Sequence, residues 1–431
     1  MTAAVTAGRR LRFDLHELGG AFGDVGILVP VIGALIVKNG FNPTSVLLVF
    51  GLTYIAAGLY FRLPVPVQPL KAMAAIAIAQ GLSPETVSAA GLIMGVLLLL
   101  LALTGLITPL AALFPKAVIR GIQVAVGLLL VQAGFKLLFD AQIVPNGDEL
   151  FVGIGGQAIP AAALVAAGTA ACILLLLRQP RLPATLLVLP PAALLGVAVS
   201  PAVFPDGLRL GPALPSLDFP GTSQLLTAFV VLVIPQLPLT LGNAVIACAD
   251  TARGYFRQDA DRVTHRSLLI SKGLANIFAG GIGGMPVCHG AGGLTAHYRF
   301  GARTGGATIM MGAAILVLAL MFGRSAGAIF ALVPLPVLGV LLCVVGLQHA
   351  LLARDTRPGV EWLVVAVIAA ASVLTNNVAI GFASGIALYQ AARLPRGYAW
   401  ARSRFPAAFP TAMRGSGDGS AAVPKLVRKD V

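Results

Sequence analysis

The sequence predicts an all-α polytopic membrane protein, with about fourteen membrane segments arranged as an inverted repeat of seven plus seven. The chain has 431 residues, of which 58% are hydrophobic and 11% charged, and its mean hydropathy is +0.91. Apolar runs recur from residue 20 to residue 392, which is typical of a chain that crosses a bilayer many times. A duplicated segment and an uneven distribution of Lys and Arg predict how these crossings are arranged.

The apolar runs, divided at Pro, Gly and charged residues, give the individual segments. Segments three and ten are short, as expected for half-helices that begin inside the membrane. In the first half the predicted segments are 20–38, 44–61, 67–80, 87–108, 117–135, 158–177 and 183–199. In the second half they are 224–247, 267–283, 289–298, 306–323, 328–347, 361–375 and 378–392.

One segment of 23 residues occurs twice. The stretch Ser45–Val67 recurs 222 residues later as Ser267–His289, with nine identical positions and no gap. In each copy an apolar run ends at a break, marked by Pro64 or Pro286, and a shorter apolar run follows. Seven predicted segments separate the copies, and this odd number inverts the second copy in the membrane. Paired breaks of this kind predict a substrate site at the bilayer midplane.

The basic residues give the orientation. With the N-terminus inside, 24 of the 30 Lys and Arg fall at cytoplasmic ends of segments and four at outer ends, while Lys71 and Lys272 lie in or near spans. This bias follows the positive-inside rule, so we expect both termini to be cytoplasmic and the protein to lie in a bacterial inner membrane. It also accounts for the net charge of +14, so this charge does not indicate nucleic-acid binding. The sequence has no nucleic-acid-binding motif.

These patterns divide the chain into two repeats and three peripheral parts. A weaker match at an offset of 219, which pairs Gly127 with Gly346, extends the duplication to segments five and twelve. The predicted parts are a cytoplasmic N-terminus (1–18), the first repeat (19–200), an extracytoplasmic connection (201–223), the second repeat (224–392) and a basic, disordered cytoplasmic tail (393–431).

The two breaks are the predicted substrate site. If two half-helices begin there and face each other, their free N–H groups and positive dipole ends favour an anion. Lys71 would add a charge, unless its stem is packed and its head lies in water. Polar groups on segment eight are expected to line the site in preference to packing between helices. The candidate binding residues are Gln68, Pro69, Leu70, Lys71, Gln236, Asn243, Cys288, His289, Gly290, Ala291 and Gly292.

Two of these residues have an alternative role, and two acidic residues have a separate one. Gln68 and His289 either donate to the solute or satisfy the broken backbone locally. Asp24 and Glu17, seven residues apart on segment one, are candidates for coupling an ion to transport. For Glu17, capping a helix at the interface is the favoured alternative.

Enzymatic and metal-dependent functions are disfavoured. Cys288 and His289 are adjacent, which rarely places a thiol and an imidazole productively, and no third orienting group follows them. The four cysteines fall in or beside apolar runs and are predicted to be buried thiols without disulfides. We expect no catalytic residues, no metal and no cofactor.

Four segments resemble the signature segments of the molybdate transporter family, which is related to SulP-type sulfate transporters: ELGGAFGDVGILVP, PVPVQPLKAMAA, IPQLPLTLGNAVIA and MPVCHGAGGLTAHYRFGARTG. The resemblance implies seven plus seven inverted spans, with segments one to four and eight to eleven in a core domain and the others in a gate domain. It also implies uptake of tetrahedral oxyanions, chiefly molybdate and then sulfate. We expect no STAS domain of the kind that regulates SulP proteins.

The predicted function is secondary transport of molybdate, or of sulfate, by alternating access. The alternatives are another anion such as bicarbonate, a nucleobase, or a channel-like anion pathway. A nucleobase carrier would need a carboxylate at segment eight or ten, and the sequence has none at either break. The lipid bilayer is the expected surrounding, either a proton or sodium the expected coupling ion, and a homodimer is left open.

Overall fold

The fold is known from a computed structural model, which is helical apart from two short two-stranded sheets in the part of the chain that it describes. The described residues are 10–112, 114–139, 142–144, 149–154, 157–177, 184–199, 207–214 and 220–393. The predicted tail, 393–431, lies outside them except for its first residue, as do residues 1–9 and, within the predicted connection, 201–206 and 215–219.

The first half contains nine helices and three strands within these ranges. A short 3-10 turn, Phe22–Asp24, separates the first two helices, and strands β2 and β3 form a hairpin before α8. The elements are α1 (Leu15–Ala21), α2 (Val25–Asn39), α3 (Pro43–Phe61), β1 (Gln68–Pro69), α4 (Lys71–Gln80), α5 (Pro84–Thr104), α6 (Ile107–Ala112), α7 (Lys116–Leu138), β2 (Phe151–Ile154), β3 (Gln157–Pro160), α8 (Ala161–Leu177) and α9 (Ala184–Val199).

The second half begins with one long helical run in which π-helical turns, Ala228–Val233 and Thr240–Ala247, alternate with α-helix. Pro235 and Pro238 lie between these turns and cannot donate backbone hydrogen bonds. The elements are α10 (Thr222–Thr227), α11 (Ile234–Leu239), α12 (Cys248–Phe256), α13 (His265–Gly281), β4 (Val287–Cys288), α14 (Ala291–Arg299), α15 (Gly306–Ala331), α16 (Leu335–Leu351), α17 (Val360–Thr375) and α18 (Val378–Arg393).

Six of the described helical runs are long and apolar enough to cross a membrane. Helices α1 and α2 form a seventh if their 44° bend is part of one span. The chain is therefore an integral membrane protein with six or seven full-length apolar spans. Several of the fourteen predicted segments are shorter than a span, among them α4, α8, α9, α17 and α18.

Several predicted segment boundaries are wrong. Segment four ends at Thr104, because Gly105 adopts a left-handed conformation and closes the helix. Segment eight continues beyond residue 247 to Phe256, through a polar turn that an apolar window omits. No break separates segments eleven and twelve at Gly323: that glycine lies inside α15, where a side chain would collide with Thr44, and α16 begins only at Leu335.

Three helix pairs form the centre of the molecule: α3 with α15, α5 with α13, and α7 with α16. Glycines allow these helices to approach backbone to backbone. A Cβ on Gly127 of α7 would lie 2.5 Å from the carbonyl oxygen of Gly346 on α16, and a Cβ on Gly346 would meet the oxygen of Gly127. Apolar side chains buried around these pairs form one continuous core.

The two breaks meet in this core. Strand β1 pairs antiparallel with β4, with Gln68 opposite Cys288 and Pro69 opposite Val287. The amide of Leu70 donates to the carbonyl of Pro286 at 3.0 Å, so the chain is held as it enters α4. Helices α4 and α14 begin immediately after the two strands, which places their N-termini at the junction.

Replacing Gly127 by Leu is expected to lower the free energy of unfolding by about 1–3 kcal/mol, because the side chain would force α7 away from α16. Thermal unfolding of the purified protein in detergent measures this change. Gly168→Leu is the matched control, since Gly168 lies exposed on α8 with nothing near its Cβ position. Equal melting temperatures for the two variants would contradict the close packing of α7 and α16.

Candidate anion-binding site

The N-terminus of α4 is capped by a side chain from the long helical run. The Oε1 atom of Gln236 accepts hydrogen bonds from the amides of Ala72 and Met73, at 2.9 and 3.2 Å. Its Nε2 atom donates to the hydroxyl of Thr240 at 3.1 Å. Gln236 therefore satisfies two of the amides that helix α4 leaves open in its first turn. The expected pair of bare helix N-termini is reduced to one, because these α4 amides are engaged.

The second break is held by two buried polar side chains. His289 donates from Nδ1 to the carbonyl of Pro66, and its Nε2 lies 2.8 Å from the hydroxyl of Ser271. Asn276 of α13 accepts the amide hydrogen of Val287 at 2.6 Å. His289 is fully buried and both of its nitrogens are engaged, so it satisfies the broken backbone, which is the alternative role that the sequence left open.

The beginning of α14 is packed against Gln68. A Cβ on Gly290 would lie 2.5 Å from Oε1 of Gln68, and one on Gly293 would lie 2.6 Å from its Nε2. Any side chain at either glycine would displace the amide of Gln68, which is fully buried. In contrast, Gly292 is exposed and has nothing near its Cβ position. Ala291, beside it, is half-buried, so the first turn of α14 is accessible on one side.

A small cavity lies at the N-terminus of α4. Its volume is about 20 Å³, which is room for one water molecule, and none of its described lining residues is a carboxylate. Four of the predicted residues meet there, whereas the predicted Gln68, Pro69, Leu70, His289, Gly290, Ala291 and Gly292 do not line it. The lining residues are Lys71, Gln123, Gln236, Leu239, Asn243, Ala244, Cys288 and His349.

Two polar lining residues come from outside the breaks and were missed by the sequence reading. Gln123 lies on α7 and His349 on α16, and both are buried. The available signal was a polar side chain within an apolar run, which is costly in a membrane and often functional. His349 escaped because predicted segment twelve ended at residue 347, two residues short of it.

The amide of Gln123 is oriented by an ion pair. Arg120 donates to both carboxylate oxygens of Asp355, at 2.8 and 2.6 Å, and from Nη1 to Oε1 of Gln123 at 2.8 Å. A guanidinium only donates, so the carbonyl oxygen of Gln123 faces Arg120. Gln123 also lines the cavity, and its NH2 group is the part of its amide that Arg120 does not engage.

A second lysine lies behind the cavity wall. Lys272 of α13 is fully buried, and its ammonium donates to the carbonyl of Ala244 at 2.8 Å. Ala244 belongs to the π-helical turn and lines the cavity. The wall next to Lys71 is therefore backed by a second basic side chain.

Of the two residues predicted to couple an ion to transport, the structure describes the side chain of Glu17 and not that of Asp24. Glu17 is fully buried, and its carboxylate accepts the amide hydrogens of Arg303 and Thr304 at 3.1 Å, in the turn that leads into α15. It thus holds a distant turn and does not cap its own helix, since Asp14 caps the N-terminus of α1. Asp24 lies on the turn between α1 and α2, and its side chain is outside the described part of the structure.

Among the described residues, no group of three His, Cys, Asp or Glu side chains is placed to hold a metal ion. The prediction of four buried thiols is half right. Cys248 and Cys288 are buried, whereas Cys343 is half-buried and Cys172, on α8, is exposed.

Comparison with known proteins identifies the family. The family model for a molybdate transporter of the MFS superfamily matches residues 16–130 and 228–348. Among curated relatives, Molybdate transporter 2 of Arabidopsis thaliana is 32% identical over 416 residues, covering 88% of both chains. Molybdate transporter 1 of Chlamydomonas reinhardtii is 29% identical over 490 residues, covering 91% of this chain and 94% of its own.

Solved structures share the fold at low sequence identity. The transmembrane domain of the cyanobacterial bicarbonate transporter BicA has a TM-score of 0.60 and 17% identity, and the match covers 88% of this chain and 98% of that one. The murine Slc26a9 anion transporter in its inward-facing state has a TM-score of 0.61 and 16% identity, covering 88% and 68%. At this identity the likeness establishes the fold alone.

The apolar spans define an integral membrane protein, and the family match makes it a transporter of anions and not an enzyme. The chain belongs to the molybdate transporter family. The relatives named above come from a plant and an alga, so they do not support the predicted bacterial source.

Replacing Glu17 by Gln should destabilise the protein by about 1.5–3 kcal/mol, because hydrogen bonds to a charged acceptor are stronger than those to an amide and one carboxylate here serves two backbone amides. Thermal unfolding of the purified protein measures the loss. Glu149→Gln is the control, since Glu149 is exposed. A stable Glu17→Gln protein whose transport no longer responds to a proton or sodium gradient would instead support the coupling role.

Proposed function

We propose that the chain is a secondary transporter of tetrahedral oxyanions, with molybdate as the first candidate and sulfate as the second. The relatives are named as molybdate transporters, and the chain spans most of their length. Both candidate solutes are dianions that present four oxygen atoms, all hydrogen-bond acceptors. A site for either must supply donors and positive charge from several directions.

The cavity at α4 carries the proposal, because its chemistry matches an oxyanion. Lys71 contributes an ammonium at the first residue of α4, where the helix dipole is also positive. Gln123 lines the cavity with its NH2 group not engaged by Arg120, and Asn243 lines it with an amide nitrogen 3.8 Å from the Cβ position of Gly290. Donors and positive charge therefore converge there, and the described lining has no carboxylate to repel an anion.

We also propose that the fourteen segments form an inverted repeat. Gly51 and Gly273 are equivalent in the duplicated stretch. A Cβ on Gly51 would meet the carbonyl oxygen of Gly312 on α15, and one on Gly273 would meet that of Gly95 on α5. The pairing of α3 with α15 thus repeats as the pairing of α13 with α5. The junction of β1 with β4 and the contact of α7 with α16 lie on the proposed symmetry axis.

The way in which the cavity is divided supports alternating access as the proposed mechanism. One side is lined by the core elements α4, β4 and the long helical run, and the other by Gln123 of α7 and His349 of α16, which belong to the proposed gate. A cavity of about 20 Å³ holds roughly one water, and a tetrahedral oxyanion is larger. Binding therefore requires the two sides to separate, and a relative movement of core and gate provides this.

The proposed orientation places both termini in the cytoplasm, following the charge bias of 24 basic residues against four. The Arg120–Asp355 pair then lies at the cytoplasmic ends of α7 and α16. The anion would leave the cavity on this side.

Uptake by the purified full-length protein in liposomes tests the function. We expect saturable uptake of labelled molybdate that sulfate inhibits and bicarbonate does not, measured under separate pH and sodium gradients to identify the coupling ion. Conductance that rises without saturation would instead indicate a channel-like pathway. Transport of bicarbonate without molybdate would contradict the proposed substrate.

Replacing Lys71 by Ala should raise the KM for molybdate at least about tenfold, because a dianion would lose its nearest fixed cation, while the fold stays intact. Lys71→Arg keeps the charge and should retain part of the affinity. Lys136→Ala is the control, since Lys136 is exposed near the end of α7. Unchanged transport kinetics in Lys71→Ala would exclude this lysine from the site.

A further inference from the structure

We infer that His349 is a protonatable ligand of the transported anion, so that anion binding takes up a proton at its Nε2 atom. This inference rests on the proposed function, since it concerns the same cavity. It assigns to α16, on the gate side, a residue that completes the site only in its charged form.

The hydrogen bonding of His349 fixes which nitrogen faces the cavity. Its Nδ1 atom lies 3.1 Å from the carbonyl oxygen of Val345, one turn earlier on α16. A carbonyl only accepts, so Nδ1 carries a hydrogen and donates it. His349 has no other hydrogen-bond partner among the described residues, although its side chain is 6% exposed and lines the cavity. Nε2 is therefore the nitrogen available to a ligand.

Neutral His349 is the wrong partner for an oxyanion. With the hydrogen on Nδ1, the neutral ring presents a lone pair at Nε2, and every oxygen of a molybdate or sulfate dianion is also an acceptor. Two facing acceptors repel each other. A proton taken from water by the Nε2 lone pair converts the ring to imidazolium, which donates to the anion; no bond of the anion breaks. Binding and protonation of His349 therefore favour each other.

The charge balance of the cavity leads to the same result. Lys71 supplies one positive charge against the two negative charges of the anion, and no described lining residue carries another. Among the lining side chains, protonated His349 supplies the second positive charge and balances the dianion, since Lys272 lies behind the wall with its ammonium donating to the carbonyl of Ala244. An unprotonated ring leaves the lining one positive charge short in a low-dielectric interior. His349 also lies in the last turn of α16, where the helix dipole favours a cation.

The charged and titratable groups around α16 do not replace His349 in this role. Arg120 and Lys116 of α7 are both paired with Asp355, in the turn after α16. From α4 comes Lys71, and from β4 the thiol of Cys288, both lining the cavity. The remaining described groups, none of which lines the cavity, are Cys343 on α16, Arg354 in the turn after it, Lys136 on α7, Cys172 on α8, Lys38 on α2 and Lys272 behind the cavity wall.

His289 gives an internal comparison. It is the other histidine next to the cavity wall, and both of its nitrogens are engaged, by Pro66 and Ser271. A proton on its Nε2 atom would only reverse the hydrogen bond with the Ser271 hydroxyl, and it would give the anion no donor, because His289 does not line the cavity. His349 is therefore the histidine of this region that is placed to change charge when the anion binds.

Proton uptake on binding is the decisive measurement. Molybdate is titrated into the purified full-length protein by calorimetry in buffers of different ionisation enthalpy, between about pH 6 and 8, the range in which histidine functions as a switch. We expect the wild type to take up close to one proton per molybdate and to lose affinity by up to about tenfold per pH unit. His349→Gln, which donates a hydrogen bond without titrating, should take up almost none and bind independently of pH.

Two further variants keep the outcome unambiguous. His16→Gln is the matched control, since His16 is exposed on α1 and should leave proton uptake unchanged. If His349→Gln does not bind, His349→Lys, which carries a fixed charge, should bind molybdate without proton uptake. Wild-type binding without proton uptake, or full uptake in His349→Gln, would overturn the inference alone. Wild-type protein that binds neither molybdate nor sulfate at any pH would overturn the proposed function as well.

Discussion

Every backbone group freed by the two helix breaks must find a partner inside the protein, because the surrounding hydrocarbon offers none. The structure meets this constraint by pairing the breaks with each other through β1 and β4. Side chains complete the pairing: Asn276 holds the second break, and Gln236 caps the helix that follows the first. The positions of α4 and α14, and hence of the cavity, depend on these few hydrogen bonds.

Similar breaks give different chemistry in the two halves. The first turn of α4 is covered by Gln236 and carries Lys71, so this side contributes a charged side chain. The first turn of α14 has Gly292 exposed, so backbone is accessible there. The duplication therefore maintains the scaffold, while unequal substitutions at the breaks create an asymmetric site.

The cavity is completed by the helices that do not contain the breaks. Gln123 and His349 come from α7 and α16, whose glycine contact brings the two backbones together. Arg120 and Asp355 fix the orientation of Gln123 from outside the cavity. Donors come both from the elements next to the breaks and from α7 and α16. A movement of these two groups of elements relative to each other would therefore change the number of protein ligands around the anion. Such a change couples binding to conformation.

The sequence alone determined the membrane class, the approximate helices, the duplicated breaks and the placement of Lys71, Gln236, Asn243 and Cys288 near one site, because hydropathy, Pro and Gly act locally along the chain. It did not determine which polar groups form hydrogen bonds within the protein and are therefore not available to a solute. His289 lies between Ser271 and Pro66, and Glu17 binds a turn almost 300 residues away. It also missed Gln123 and His349, whose importance depends on two helices meeting β4 across the cavity. Only tertiary structure decides which donors remain available, since hydrogen-bond partners distant in sequence compete for the same groups.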